Sequence, residues 1–161
     1  MKNSIRITGG SLKGKKIPFN FKNSLRPTSS KLREVLFNWL QFEIKDHECL
    51  DLFAGTGALG IEALSRGAKK TVFIEYNKRN YRAVKHSILE LNLKNKSMIL
   101  FKDGLTWIKE NDLSNFDLIL LDPPFNQDYE KKVLELLHNN QNLKSSCKIY
   151  IEFSKFTDIE I

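Results

Sequence analysis

From Cys49 onward the chain repeats one local plan, in which short apolar runs alternate with turns and amphipathic helices, and few folds accept that alternation. Cys49 to Phe53 reads as a strand, Ala58 to Ser65 as a helix closed by Gly67, and Thr71 to Ile74 as the next strand, together a βαβ unit. A second helix carries Tyr81, Val84, Ile88 and Leu91 on one face, and strands follow at Met98 to Phe101, Leu118 to Leu121 and Lys148 to Phe153. Five strands alternating with helices predict an α/β fold with a doubly wound, mostly parallel sheet. The 161 residues are expected to form a single domain, with residues 1–27 as a basic arm and 28–161 as the core. In the arm, Ile5, Ile7 and Ile17 can pair as short strands. The helix that follows repeats Leu32, Val35, Leu36, Trp39 and Leu40 at intervals of three and four, with Ser29 or Ser30 available as its cap.

The strand Leu118 to Leu121 ends at Asp122-Pro123-Pro124-Phe125. Proline cannot continue a ladder, so Asp122 and Phe125 are left at the strand's carboxyl tip, where open α/β sheets bind ligands. A carboxylate beside an aromatic ring is well suited to holding the exocyclic amine of a flat base while the ring stacks on it. The plain alternative for Phe125 is core packing.

The glycine loop Asp51-Leu-Phe-Ala-Gly55-Thr-Gly57-Ala-Leu-Gly60 fits G-x-G-x-x-G between a strand and a helix. That spacing also serves dinucleotide enzymes, and Glu75 at the end of the next strand could hold a ribose in either case. Asp51 discriminates. An acid four residues before the first glycine would repel a pyrophosphate but suits a cationic ligand such as S-adenosylmethionine, which carries a sulfonium and an ammonium. Asp103, just after the strand Ile99 to Phe101, would then lie near the adenine, or would cap a helix. Gly9-Gly-Ser-Leu-Lys13-Gly14-Lys15 imitates a phosphate-binding loop, but Lys16 replaces the metal-binding hydroxyl and Pro18 follows where a helix should begin, so a basic β-turn is expected.

The net charge is +7, and nine cations precede the first acid, Glu34, so the rest of the chain is left at about −2. The positive charge is therefore expected to be a local device of the arm, either a contact for phosphates or a solvated face. Cys49 and Cys147 adjoin apolar runs and are expected to be buried small hydrophobes, with neither a disulfide nor a metal site implied. His47, His86 and His138 stand at no ligand spacing. The amino terminus lacks a signal-peptide core and no run is long enough to span a bilayer, so a cytoplasmic protein is expected.

Arg6-Ile-x-Gly-Gly-x-x-Lys-Gly-Lys, Arg26-Pro27-Thr28, Arg33-Glu-x-Leu-Phe-Asn-Trp-Leu, the glycine loop and Asp122-Pro-Pro-Phe together resemble the bacterial 16S ribosomal RNA guanine N2-methyltransferases of the guanine-966 type, over nearly the whole chain. The resemblance implies a class I methyltransferase sheet and S-adenosylmethionine as methyl donor. It implies that Asp51, Gly55 and Gly57 line the donor's methionine part, that Glu75 takes the ribose hydroxyls and that Asp103 lies by the adenine. Phe53 and Thr28 would also contact the donor, and Arg26, Pro27 and Thr28 would close over the site. Lys13, Lys15, Lys16, Arg26 and Arg33 would meet the nucleic acid, which is 16S ribosomal RNA or the small ribosomal subunit, and the enzyme would act as a monomer. Members of that family continue past the Ile149-Tyr-Ile-Glu152 strand into an antiparallel hairpin, whereas this chain stops at Ile161, so its fifth strand is expected to form an edge.

Methyl transfer from a sulfonium is an in-line displacement, for which alignment of nitrogen, methyl and sulfur is the main requirement. The Asp122 carboxylate and the Pro123 carbonyl would accept from the amine and expose its lone pair, while Phe125 holds the base by stacking. An adenine or cytosine N-methyltransferase would use the same Asp-Pro-Pro-aromatic device. A nicotinamide-dependent dehydrogenase would use the glycine loop, and a non-catalytic RNA-binding module only the arm.

Overall fold

The computed structural model of the protein describes residues 3–19, 29–124 and 127–153. Strands β1 (Asn3–Arg6) and β2 (Lys16–Phe19) form an antiparallel pair with Ile5 opposite Ile17. Helix α1 (Ser30–Trp39) is capped by Ser29, whose hydroxyl accepts from the Leu32 N–H at 3.2 Å. The remainder alternates as β3 (Glu48–Asp51), α2 (Ala58–Ser65), β4 (Lys70–Glu75), α3 (Lys78–Glu90), β5 (Ser97–Phe101), α4 (Gly104–Glu110), β6 (Leu118–Leu121), α5 (Gln127–His138) and β7 (Lys148–Ile151).

The five core strands are parallel in the order β5-β4-β3-β6-β7. Because side chains alternate across a strand, each strand feeds both faces of the sheet. Cys49, Phe73, Leu118 and Leu120 join α1, α2 and α3 in one core, while Leu50, Val72, Ile74, Ile119 and Leu121 join α4 and α5 in the other. The chain leaves β3 outward to β4 and β5, then returns to β6 on the far side of β3. This makes the β3–β6 boundary the topological switch point, where a crevice opens at the carboxyl ends. Among the described residues β5 and β7 are the edges. Strands β3 and β7 end two residues earlier than the apolar runs suggest, at Asp51 and Ile151. Helices α4 and α5 had no individual sequence expectation.

Helix α1 corrects the sequence reading. Leu36 and Leu40 are buried as expected, but Leu32, Val35 and Trp39 are exposed, Trp39 at 77%. The inward face is instead Arg33, Leu36, Phe37 and Leu40, equally regular at i, i+3, i+4 and i+7. The reason lies in α2. Glu62 is wholly buried, and a buried carboxylate must be paired. Arg33, itself only 1% exposed, supplies a guanidinium at 3.4 Å, and Arg66 a second at 3.1 Å. The Arg66 guanidinium also lies 5.6 Å above the Phe37 ring, so turning Phe37 inward completes the cluster.

The β1–β2 loop closes the same cluster. Thr8 and Gly9 donate backbone N–H groups to Glu62, Ser11 N–H to the Ser65 carbonyl, and the Ser65 hydroxyl to the Gly9 carbonyl. Gly10 has φ +78°, and a Cβ there would fall 1.9 Å from the Ser65 carbonyl oxygen, so the hairpin can seat on α2 only with glycine at that position. The basic turn predicted from the sequence is therefore a docked element. Cys49 is buried, whereas Cys147 is only half-buried and departs from the expected core position.

Candidate functional site

Three acids come together at the carboxyl ends of adjacent strands: Asp51 at the end of β3, Glu75 at the end of β4, and Asp122 one residue beyond β6. In each case two or more apolar residues, Cys49-Leu50, Val72-Phe73-Ile74 and Leu118 to Leu121, run directly up to the acid, which stands where the strand ends. Asp51 is 1% exposed. Its Oδ2 accepts from the Gly60 N–H at 2.9 Å, while its Oδ1 has no hydrogen-bond partner among the described residues. Burial pushes its carboxyl up to about 7; the Gly60 hydrogen bond opposes that, and the negative fields of Asp122 and Glu75 add to it.

Glu75 is fixed from both sides: Gly55 N–H donates to Oε2 and Asn77 N–H to Oε1, each at 2.7 Å. Burial nevertheless holds its pKa above the ordinary carboxylate value. Gly55 and Gly57, with φ of +54° and +76°, both occupy the left-handed region that the tight turn into α2 requires. Gly60 contributes differently, because a Cβ there would meet the Phe73 ring at 2.3 Å and Asp51 Oδ2 at 2.9 Å. The third glycine lets α2 lie against β4 while its N–H holds Asp51.

Asp103 takes the capping role. Its Oδ1 accepts from the Thr106 N–H and hydroxyl, each at 2.9 Å, at the start of α4. Its Oδ2 accepts from the Tyr129 hydroxyl at 2.8 Å. Burial alone would raise the Asp103 pKa, but these hydrogen bonds outweigh it and hold the group below its ordinary value. Tyr129, on α5, is pushed up to about 12 by burial and by this bond, and its ring meets Phe53 edge-on with centroids 5.6 Å apart. Sequence reasoning missed Tyr129; α5 was not singled out as a helix, so nothing marked its face toward Asp103. Phe53 also lies against Gly104, where a Cβ would approach its ring to 2.7 Å.

Pro123 is buried and Asp122 half-buried at the same mouth. Phe125, Arg26, Pro27 and Thr28 lie outside the described residues. Lys13, Lys15 and Lys16 are exposed on the hairpin. Arg33, expected to meet nucleic acid, does not stand among them: it is interior, bonded to Glu62 and donating to the Arg6 carbonyl at 3.1 Å. A guanidinium so enclosed has no path to a phosphate. Among the described residues no group of His, Cys, Asp or Glu could hold a metal ion, and no helix is long and apolar enough to cross a membrane.

A parallel five-strand sheet with this order, a glycine turn after its middle strand and Asp-Pro-Pro at the tip of the neighbouring strand, is the Rossmann-like fold of class I methyltransferases. A Haemophilus influenzae structure described as a candidate methylase superposes with a TM-score of 0.81 at 34% identity, covering 98% of this chain and 86% of that one. A candidate methyltransferase from Escherichia coli also gives 0.81, at 32% identity over 92% of this chain and 80% of its own. The chain belongs to the family described as conserved hypothetical protein 95, whose model matches residues 5–160. It is 44% identical to the ribosomal RNA small subunit methyltransferase D of Buchnera aphidicola, over 96% of this chain and 81% of the relative.

Proposed function

We propose that this protein transfers a methyl group from S-adenosylmethionine to the exocyclic N2 amine of a guanine in 16S ribosomal RNA. The observation that carries the reading is the convergence of Asp51, Glu75 and Asp122 on one crevice, with Asp51 Oδ1 buried and without a partner among the described residues. A buried carboxylate oxygen with nothing to accept from suits a ligand ammonium, and the same cluster of negative charge disfavours the pyrophosphate of a dinucleotide. Glu75, oriented by the Gly55 and Asn77 N–H groups at the tip of β4, accepts from the two ribose hydroxyls in this reading. Asp103, Phe53, Gly55, Gly57 and Thr28 complete the donor's contacts in this reading. When bound, S-adenosylmethionine supplies an electrophilic methyl group on a sulfonium.

The chain's own residues then have defined roles. The Asp122 carboxylate and the Pro123 carbonyl accept the amine's hydrogens, which turns the nitrogen lone pair out of conjugation with the ring. Asp122 also receives the proton that the amine sheds. Phe125 stacks on the base, a contribution of about 1–3 kcal/mol that offsets much of the cost of unstacking it. Lys13, Lys15, Lys16 and Arg26 meet phosphates of the RNA in this reading. The names of the relatives, ribosomal RNA small subunit methyltransferases, support RNA over DNA as the substrate.

Single-turnover methylation with labelled donor tests this. Asp122→Ala should slow transfer by roughly 10²–10⁴ while calorimetry shows donor binding retained. A wild-type rate in that variant would end the reading, and label mapped to an atom other than guanine N2 would change the base.

A further inference from the structure

The charge count over residues 34–161, about −2, conceals a second basic surface, and this corrects the expectation that positive charge is confined to the arm. Helix α3 carries Lys78, Arg79, Arg82 and Lys85 with no acid before Glu90. It buries Val84, Ser87 and Ile88, so all four cations are exposed. None of them forms a salt bridge among the described residues.

Their position runs against the helix. Lys78 and Arg79 lie in the first turn, where the macrodipole is positive and cations are disfavoured by roughly 0.3–1 kcal/mol each. No first-turn acid compensates; Asn77 alone caps the end, accepting from Arg79 and Asn80 N–H groups. An external anion would reverse the sign of that local electrostatics. The surface also has neighbours of matching chemistry. Helix α3 packs against β2, the hairpin strand that begins at Lys16, so the two basic elements adjoin. It packs as well on β5, an edge strand, where Phe101 is half exposed with its ring 5.6 Å from that of Tyr81. Lys102 follows, exposed. Cations spaced along a helix beside an accessible aromatic pair combine backbone neutralisation with a stacking platform, the two elements that hold single-stranded nucleic acid.

We propose that the outer face of α3, with the Tyr81–Phe101 pair, is an RNA-binding surface continuous with the hairpin, which engages the phosphates and an unpaired base of the RNA flanking the target. This rests on the reading of RNA as the substrate. The test uses the full chain and a fluorescein-labelled single-stranded RNA, with affinity measured by anisotropy across a salt series. Arg79→Gln/Arg82→Gln/Lys85→Gln should flatten the slope of log affinity against log salt by about 0.7 per lost contact, about 2 in all. Lys109→Gln/Lys131→Gln/Lys132→Gln, which removes the same charge from α4 and α5 across the sheet, should leave the slope unaltered. Phe101→Ala should weaken binding about five- to 150-fold at unchanged slope, and Phe101→Tyr should restore it.

An unaltered slope in the α3 variant would make this face merely solvated, and equal flattening in both triple variants would reduce binding to net charge; either overturns the proposal. Methyl incorporation by the wild-type protein separates this from the reading beneath it. RNA binding that depends on α3 without incorporation refutes the activity and leaves the surface standing. Incorporation with an α3-independent slope does the reverse.

Discussion

Asp51 is held in a state that folding alone does not favour, and replacing it with Asn should stabilise the donor-free protein at neutral pH. Its carboxyl titrates at about 7 in the fold against an ordinary 3.8. Between those values the folded state keeps a proton that the unfolded chain has released. The group's contribution to stability therefore falls as pH rises from about 4 to about 7, and the full cost is present above 7. At 1.36 kcal/mol per pH unit the ceiling is about 4 kcal/mol. Asn preserves the acceptor for the Gly60 N–H but leaves its NH₂ buried where Oδ1 lacks a partner, which takes back about 1–2 kcal/mol. The net expectation at pH 8 is a gain of about 2 kcal/mol, or roughly 4–8 °C in Tm for a chain of this size, which falls through zero as pH drops and becomes a loss of about 1–2 kcal/mol near pH 4, where only the buried NH₂ remains. Thermal and urea unfolding of both proteins at pH 4.5 and pH 8 measure it. A variant no more stable at pH 8 than at pH 4.5, relative to wild type, would refute the buried-charge argument. The same substitution should abolish donor binding, which makes Asp51 a site where function is held against stability.

Other expectations follow from the same geometry. Glu75→Ala should weaken donor affinity by roughly 1–3 kcal/mol in calorimetry, since it removes a charged acceptor and leaves the Gly55 N–H without its partner. Glu62→Gln should lower stability by about 3 kcal/mol in urea unfolding, because Arg33 loses the charge that compensates its burial; an effect below 1 kcal/mol would mean that Thr8, Gly9 and Arg66 carry the cluster without it. Gly60→Ala should cost about 1–3 kcal/mol through the Phe73 clash, whereas Gly14→Ala, with open space but φ +87°, should cost about 1. Replacing Lys13, Lys15 and Lys16 with Ala should flatten the salt dependence of RNA binding by about 0.7 per contact while donor affinity holds.

How much of this was legible in the chain differs between its parts for a physical reason. The alternation of strands and helices, a serine cap at Ser29 or Ser30, the glycine turn before α2 and the strand stop at Asp122-Pro-Pro are local: turn chemistry and side-chain period are written within a few residues of where they act. The sequence by itself therefore determined the parallel sheet, the glycine turn and the acids at the strand tips. Everything that depends on one element facing another was decided by the tertiary structure. Periodicity marked an apolar stripe on α1, yet Glu62, far along the chain, turned the helix so that Arg33 faces inward and Trp39 faces water. A charge count sees α3 diluted by distant acids, whereas the fold sets its four cations beside the hairpin. For Asp103 the sequence offered two roles; the fold shows the capping bond to Thr106 and adds Tyr129, a partner 26 residues away that no local window contains. The pKa of Asp51 follows from burial and from the fields of Asp122 and Glu75, residues that share no local sequence with it; distance in space, which no window of sequence contains, sets those terms.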